Sequence, residues 1–249
     1  MHIIGAGRVG GALSESAIAH GQPCTLWSRG MDLSSLHVGD GPVLVATRNN
    51  DLADVLRAVP ANRHTDVVFV QNGMLRPWLA EAGVSDATRG LLFFAVAARG
   101  APIQPGPPSP FVGPHAAAAV AFLTAIGVPA EVVSTATFTN LEHEKLLWNS
   151  CFGLLCQAYN APVGVIVRDH ASELAELVAE LDLVARLELD VSVTVAHLIA
   201  ALSSYSMTIP DYQGAVKEWA WRNGWYVQIA EKYNRTMPVH ARLCALAGV

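Results

Sequence analysis

Three glycines near the start of the chain have the spacing that lets a backbone approach a phosphate group. The segment MHIIGAGRVGG places Gly5, Gly7 and Gly10 directly after a short apolar run and before a helical pattern. In such a turn the first glycine permits a tight bend, the second leaves room for a pyrophosphate, and the third lets the helix pack closely on the strand. The N–H groups of Arg8 and Val9 would then face the phosphate. We predict a dinucleotide site here, with a plain strand-to-helix turn as the alternative.

The residues after the second predicted strand indicate which dinucleotide would bind. NAD enzymes place an acidic residue there, roughly 20 residues beyond the glycines, to bind the ribose 2′-hydroxyl. This chain has no acidic residue between Glu15 and Asp32, and Ser28 and Arg29 occupy the position instead. A guanidinium pairs well with phosphate oxygens, so the pair favours the 2′-phosphate of NADP(H). The alternative is that Arg29 is an ordinary solvated loop residue.

A second group of chemically capable residues lies in the segment EKLLWN. Lys145 and Asn149 are four residues apart, so they share one face of a helix. A lysine ammonium can donate a proton to a carbonyl oxygen while hydride reaches the carbon, and an asparagine can hold a second substrate oxygen. On spacing alone, a solvated lysine is the favoured interpretation, because most lysines on helices face solvent.

The elements that would position these residues alternate in the first half of the chain and are helical in the second. Strands alternating with helices predict a parallel sheet. We predict strands at 1–4, 24–28, 43–47, 67–70 and 91–97, with helices at 8–20 and 52–59. Beyond residue 131 the patterns predict helices at 138–159, 171–190, 192–202 and 214–234, a loop at 203–212, and a last helix starting at Pro238.

The predicted fold class is therefore α/β, with a Rossmann-like dinucleotide-binding domain at 1–133 and an all-helical substrate domain at 134–249. Composition fits this class, because 52% of residues are hydrophobic and 15% are charged. The net charge of −5 comes without a basic block, which argues against a nucleic-acid partner. Four cysteines without a regular framework favour a reduced, cytoplasmic protein. The nine histidines show no metal-ligand spacing, and we expect neither a metal site nor a membrane span.

Four motifs, taken together, resemble the ketopantoate reductase (2-dehydropantoate 2-reductase) family over nearly the whole chain. GAGRVG resembles the family's nucleotide turn, QNG at 71–73 its strand-end motif, and EKLLWNS its KLxxN helix. The segment SMTIPDYQGAVKEWAWRNG, 206–224, resembles a family segment with Ser–Met, then Asp, Gly-x-x-x-Glu and Asn-Gly. The resemblance implies an NADPH-dependent oxidoreductase that reduces a small 2-oxo acid. Separately, the aromatic set Trp219, Trp221 and Trp225 is interpreted mainly as packing, with a homodimer interface as the alternative.

The resemblance also implies roles for individual residues. Lys145 would be the proton donor, and Glu218 would contact both the substrate and that lysine. Asn149 and Ser206 would hold the substrate. Asn72 would lie near the nicotinamide, and Arg48 takes the place of a lysine that the family has close to the cofactor.

Departures from the family pattern leave the substrate open. The family has a second asparagine where this chain has Gly153, another where it has Ser203, and a threonine where it has Lys217. Loss of two substrate-binding amides bears on substrate identity more than on chemistry. Two alternatives to ketopantoate reduction follow: the same chemistry on another 2-oxo acid, or an NADPH-binding protein without catalytic activity.

Overall fold

The structure is a computed structural model that describes residues 1–37, 39 and 41–249. The chain divides into two compact units, Met1–Phe138 and Thr139–Val249. The predicted domain limits, 1–133 and 134–249, stay a prediction.

The N-terminal unit is built on a seven-stranded sheet with the order β2-β1-β3-β4-β5-β6-β7 among the described residues. The first five strands run parallel, β6 is antiparallel to β5, and β7 is parallel to β6. The strands are β1 (His2–Ile4), β2 (Thr25–Trp27), β3 (Val43–Val45), β4 (Val67–Phe69), β5 (Thr88–Gly90), β6 (Ser109–Val112) and β7 (Ala130–Val132). The helices of this unit are α1 (Arg8–Ala19), α2 (Leu52–Ala58), α3 (Arg76–Glu81) and α4 (Ala116–Ala125).

The central strands are apolar on both faces because the sheet is covered on both sides. All three residues of β3 and all three of β4 are buried. Such continuous apolar runs are typical of parallel strands between helical layers. One core cluster joins Leu13 of α1, Leu44 of β3, Val68 of β4 and Leu123 of α4.

The strand predicted at 91–97 is wrong. The fifth strand is Thr88–Gly90, and the following residues form only an isolated bridge between Ala95 and Gln104. The neighbouring segment, 102–110, is rich in proline, which has no N–H to donate to a ladder. Regular pairing therefore stops where the proline-rich segment begins to accompany the strand. Strand β6, Ser109–Val112, begins at the end of that segment, for which the sequence predicted a loop or hairpin.

The C-terminal unit is all-helical among the described residues, so the predicted fold class is confirmed. Its first helix, α5, begins just before the unit boundary. The helices are α5 (Thr135–Tyr159), α6 (Val163–Asp169), α7 (Ala171–Ala185), α8 (Val195–Thr208), α9 (Asn223–Lys232) and α10 (Pro238–Ala247). The predicted start at Pro238 is correct, whereas α6 was not predicted. The loop predicted at 203–212 is wrong in its first half, because α8 continues to Thr208.

The helix predicted over 214–234 is also wrong in its first half. Residues 214–218 are irregular, a single 3₁₀ turn covers Trp219–Trp221, and α9 starts only at Asn223. The irregular part is held by tertiary contacts, since the Val216 N–H donates to Gln157 Oε1 of α5 at 3.1 Å rather than to a helical carbonyl. Tertiary hydrogen bonding has overridden the local apolar pattern here.

Taken singly, none of the helices in the described ranges has the length and apolar composition to cross a membrane. By those two criteria α5 and α6 pass only as a pair, and they are bent 84° apart at the break between them.

Candidate active site

The carboxyl ends of four neighbouring strands bring the predicted cofactor residues to one edge of the sheet. The register aligns Ile4 at the end of β1 with Trp27 of β2 and with Val45 of β3. Val45 in turn lies opposite Phe69 of β4. The chain turns outward from β1 to β2 and then returns to β3 on the other side of β1. This reversal creates the crevice in which ligands of open α/β sheets bind.

The three glycines of the turn differ in how much space surrounds them. Gly5 has a φ of +112°, and a Cβ there would lie 2.9 Å from the Ala46 carbonyl carbon. A Cβ on Gly10 would lie 2.0 Å from the Gly5 carbonyl oxygen. Both glycines are therefore required by the protein's own packing. Gly7 is exposed, and a Cβ there would meet no protein atom within 4 Å.

Open space at Gly7 coincides with a helix N-terminus that no side chain caps. Gly7 is the N-cap of α1 and has no side chain that could cap the helix. The first turn of α1 contains no acidic residue. The exposed first N–H groups of a helix carry a partial positive charge that attracts anions. Arg8 and Val9 contribute those groups, so the turn fits a phosphate.

The predicted ribose-phosphate pair lies in an exposed turn after β2. Ser28 and Arg29 are both exposed, and the Met31 N–H closes the turn on the Ser28 carbonyl at 3.2 Å. Gly30 has a φ of +88°, which this turn requires. The guanidinium of Arg29 is therefore accessible to a ligand phosphate.

Two side chains that the sequence analysis did not single out hold the ends of β3 and β4 together. Buried Gln71 donates from Nε2 to the Val45 carbonyl at 2.8 Å, and buried Asn49 donates to the Asn72 carbonyl at 2.9 Å. The side chain of Asn72 stays exposed, as does Arg48, which precedes a 3₁₀ turn. Within the QNG motif the glutamine therefore fixes the loop while the asparagine faces solvent, and the role predicted for Asn72 near the nicotinamide stays a prediction.

Thr47 adds an unsatisfied polar group beside the glycine turn. Its hydroxyl is buried without a hydrogen-bond partner, and its methyl group would lie 3.0 Å from a Cβ on Gly5. A buried polar atom without a partner is costly, so one at the crevice is a natural contact for a ligand.

Lys145 of α5 has a shifted pKa that suits proton transfer. The residue keeps partial access to solvent, but desolvation around its ammonium, together with the nearby positive charge of Arg222, lowers its pKa to about 7. A general acid is most effective when its pKa lies near the working pH. Lys145 can therefore be protonated at neutral pH and can also release its proton readily.

Arg222 links Lys145 to the predicted carboxylate, Glu218. The Arg222 guanidinium is almost entirely buried and donates from Nη2 to Glu218 Oε2 at 2.6 Å, while its Nε is buried without a partner. Glu218 therefore forms an ion pair with Arg222, and the contact between Glu218 and Lys145 that the sequence suggested stays a prediction. Glu218 has a φ of +49°, a left-handed conformation that is uncommon for a residue with a long side chain. Such conformations are concentrated at functional sites.

The two predicted substrate residues differ in their availability. Asn149 is partly exposed, and its Nδ2 donates to the Lys145 carbonyl at 2.8 Å. Its amide oxygen makes no hydrogen bond with another described residue. Ser206 is fully buried, donates to the Leu202 carbonyl at 2.9 Å and accepts from Trp148 Nε1 at 3.0 Å.

Helix α5, which carries Lys145, is anchored by a buried polar network two residues earlier. His143 Nε2 and Asp182 Oδ1 of α7 are 2.8 Å apart, and Arg186 Nε donates to the other carboxylate oxygen at 2.7 Å. Burial opposes ionisation of Asp182, but hydrogen bonds from His143 and Arg186 outweigh it and lower its pKa. The network fixes the position of the α5 backbone next to Lys145.

Gly153 departs from the family pattern for a reason that the structure makes clear. A Cβ at this position would lie 2.9 Å from the Ala215 carbonyl oxygen. Gly214 approaches α5 equally closely, with a Cβ there 2.8 Å from the Phe152 carbonyl oxygen. The segment 213–216 therefore lies on α5 where the family asparagine would project, and no side chain can enter.

Across the described ranges, 1–37, 39 and 41–249, no three His, Cys, Asp or Glu residues are grouped to hold a metal ion.

Comparison with known families gives a match to the helical part of the chain. Residues 137–249 match the family described as "Ketopantoate reductase PanE/ApbA C terminal". This region, less than half of the chain, is similar to the C-terminal domain of ketopantoate reductases. The resemblance noticed in the sequence is thus confirmed. No curated protein matches the chain by sequence.

Solved structures extend the ketopantoate reductase fold over the whole chain. A 2-dehydropantoate 2-reductase from Geobacter metallireducens GS-15 has a TM-score of 0.78 at 17% identity, covering 100% of this chain and 99% of that one. D-mandelate dehydrogenase with NADH and anilino(oxo)acetate has a TM-score of 0.75 at 16% identity, covering 100% and 97%. A dimeric ketopantoate reductase from Staphylococcus aureus has a TM-score of 0.72 at 15% identity, covering 99% and 98%. At these low identities, the TM-scores show that the fold is shared.

The region that matches the family, residues 137–249, contains all four residues with predicted catalytic or substrate roles: Lys145, Asn149, Ser206 and Glu218. The predicted cofactor residues lie outside it, in the part of the chain that the fold comparison alone covers. Arg222 and Trp148 lie inside it, and sequence reasoning missed both as parts of the site. An arginine four residues after Glu218 was the only available signal.

Proposed function

We propose that this protein reduces a small 2-oxo acid to the corresponding 2-hydroxy acid with NADPH, in the manner of ketopantoate reductase, which converts 2-dehydropantoate to pantoate. The observation that carries the proposal is Lys145, whose pKa is about 7 and which lies one helical turn from Asn149. An ammonium group with a pKa near neutral, beside an amide oxygen that makes no hydrogen bond with another described residue, is suited to protonate a substrate carbonyl.

The residues at the sheet edge fit a dinucleotide. Gly7 leaves open space at an uncapped helix N-terminus, and Thr47 has a buried hydroxyl without a partner. In the proposal Gly5, Gly7, Arg8, Val9 and Gly10 bind the pyrophosphate, Ser28 and Arg29 the 2′-phosphate, and Arg48 and Asn72 the nicotinamide half. D-mandelate dehydrogenase is described with NADH. The exposed guanidinium of Arg29, in place of an acidic residue, is our reason to propose NADPH for this chain.

When bound, the cofactor supplies a hydride to the ketone carbon. Lys145 donates its proton to the ketone oxygen, so the carbonyl gains one hydride and one proton and becomes an alcohol. Its ammonium also stabilises the negative charge that develops on that oxygen, where preorganised charge is most effective. Glu218 positions the cationic groups through Arg222, and Asn149 holds a substrate oxygen. Ser206 stays a predicted substrate contact. This role requires its hydroxyl to exchange one of its internal hydrogen bonds for one to the substrate.

A second candidate function is the same chemistry on a 2-oxo acid other than ketopantoate. The backbone of Ala215 occupies the space next to Gly153, so the amide expected there from the family pattern is absent. D-mandelate dehydrogenase, which shares the fold, is described with anilino(oxo)acetate rather than with ketopantoate. A role in pantothenate biosynthesis therefore requires that ketopantoate itself is the substrate.

Three further expectations stay part of this proposal. The four cysteines are free, which agrees with a cytoplasmic enzyme in a reducing compartment. A homodimer is proposed because a ketopantoate reductase with this fold is described as dimeric. A protein that binds NADPH without catalysis is the remaining alternative, and the shifted pKa of Lys145 argues against it.

The test is oxidation of NADPH by the purified protein, followed by the loss of nicotinamide absorbance. Ketopantoate and a series of other 2-oxo acids are compared, with NADH in parallel. We expect turnover of at least one 2-oxo acid, with kcat/KM at least about tenfold higher for NADPH than for NADH because Arg29 replaces the acidic residue. Tight NADPH binding without turnover of any 2-oxo acid would establish the non-catalytic alternative instead.

A further inference from the structure

An aromatic cluster lies one helical turn from Lys145 on the same side of α5. Lys145, Trp148 and Asn149 are spaced by three and four residues, so they project from neighbouring positions of one helix face. Trp148 packs against Tyr205 of α8 with ring centroids 5.3 Å apart, edge to face. It also lies 5.8 Å from the ring of Tyr212. We call Trp148, Tyr205 and Tyr212 the aromatic cluster.

The cluster is fixed in orientation but open to solvent. The Trp148 indole N–H donates to buried Ser206, which holds the ring in place and satisfies its only polar atom. Tyr205 is 46% exposed and Tyr212 is 44% exposed. Large aromatic side chains normally bury most of their surface, so two that remain open beside a fixed tryptophan form a ready apolar contact for a ligand.

The same stretch of α5 lacks the polar partners that a hydroxylated substrate would need. Position 153 carries no side chain and is covered by the Ala215 backbone. Ser203 of α8 has a short side chain where the family pattern has an amide. Ketopantoate ends in a hydroxyl group, which would have to give up water for these apolar surroundings. An aryl group has no such cost, and its edge and faces complement those of the three rings.

We propose that the aromatic cluster selects 2-oxo acids with an aryl side chain, such as phenylglyoxylate. This inference rests on the proposed function and adds the substrate class. The 2-oxo carboxylate end lies at Lys145 and Asn149, and the aryl ring packs on Trp148, Tyr205 and Tyr212. The ketone carbon receives hydride from NADPH and the oxygen receives a proton, so phenylglyoxylate becomes mandelate while NADPH becomes NADP⁺.

The experiment compares kcat/KM for phenylglyoxylate, ketopantoate and 2-oxobutanoate, in the parent protein and in a Tyr205→Ala/Tyr212→Ala double variant. We expect the parent to prefer phenylglyoxylate over 2-oxobutanoate by at least about tenfold. In the double variant the ratio of these two values should fall about tenfold, since each aromatic contact contributes a few-fold. Tyr233→Ala is the matched control, because Tyr233 is 40% exposed and its ring contacts Lys232 instead. It should leave the ratio unchanged.

The outcomes separate this inference from the proposed function. Turnover of 2-oxobutanoate or ketopantoate without a preference for phenylglyoxylate overturns the inference and leaves 2-oxo acid reduction in place. Absence of turnover with every 2-oxo acid overturns both. If the double variant keeps the parent's selectivity but sediments as a smaller species, the cluster is the contact for a second copy of the chain, and the inference is wrong.

Discussion

At the scale of single residues, the proposed chemistry depends on a lysine whose charge is made less favourable by its surroundings. Desolvation and the neighbouring Arg222 both act against the ammonium of Lys145 and bring its pKa to about 7. Arg222 is itself restrained by Glu218 at 2.6 Å. We propose that the carboxylate, by holding the arginine, helps to set the pKa of the lysine, which would make Arg222 a positioning residue.

Replacing Arg222 with glutamine should move the alkaline limb of the pH profile to higher pH. Loss of the positive charge raises the pKa of Lys145, because the ammonium is no longer repelled. Since reduction needs the protonated form, kcat/KM in the parent should fall as pH rises through about 7, the pKa of Lys145. The variant should retain activity to higher pH.

Arg222→Lys is the control for this prediction, because it keeps the charge and should keep the limb near its original pH. Thermal unfolding of both variants checks that the helical unit is intact. If R222Q and R222K give the same pH profile as the parent, Arg222 does not tune the ammonium.

At the scale of elements, the turn between β1 and α1 separates two glycines that the protein's own packing needs from one that we propose is needed for binding. Gly10→Ala places a Cβ 2.0 Å from the Gly5 carbonyl oxygen, whereas Gly7→Ala meets no protein atom within 4 Å. We expect Gly10→Ala to lower the free energy of unfolding by about 1–3 kcal/mol through overpacking. Gly7→Ala should change it by less than about 0.5 kcal/mol but weaken NADPH binding at least about tenfold.

Calorimetric unfolding and fluorescence titration with NADPH measure the two effects on the same variants. The two substitutions add the same methyl group, so each serves as the control for the other. A Gly7→Ala protein that binds NADPH as tightly as the parent would show that the phosphate does not approach this position.

Elements were predictable where local pattern and tertiary packing agree. The glycine turn, the buried strands β3 and β4, and helix α5 have strong local signals and were found. The strand at 91–97 failed because pairing depends on a proline-rich partner distant in sequence. The helix predicted from 214 failed because Gly214 and Val216 are held against α5 by packing and a hydrogen bond that no local pattern encodes.

Candidate site residues could be proposed from the sequence only where a motif marks them. Lys145 and Asn149 show helical spacing, and Glu218 follows from the family resemblance. Arg222 was missed because its spacing of four residues from Glu218 is a weak signal on its own. The reason for Gly153 could not be derived from sequence, because it is the backbone of Ala215, 62 positions later, that occupies its side-chain space.

At the scale of the whole molecule, the two units contribute different parts of the proposed reaction. The unit Met1–Phe138 carries the residues proposed to bind the dinucleotide, and the unit Thr139–Val249 carries the proposed proton donor and the aromatic cluster. A mild net charge of −5 without a basic block suits small anionic ligands recognised by a few placed cations. The whole-chain account therefore predicts that cofactor binding and proton donation can be lost separately.

The most direct test of this account is the kinetics of Lys145→Met, measured with NADPH and whichever 2-oxo acid the parent turns over. We predict that kcat falls at least about a hundredfold, as expected for loss of a general acid, while the NADPH dissociation constant stays within about twofold. Lys232→Met is the control, because Lys232 is exposed and pairs with Glu188. A Lys145→Met protein that keeps the parent's kcat would contradict the account, since the proton would then come from another group.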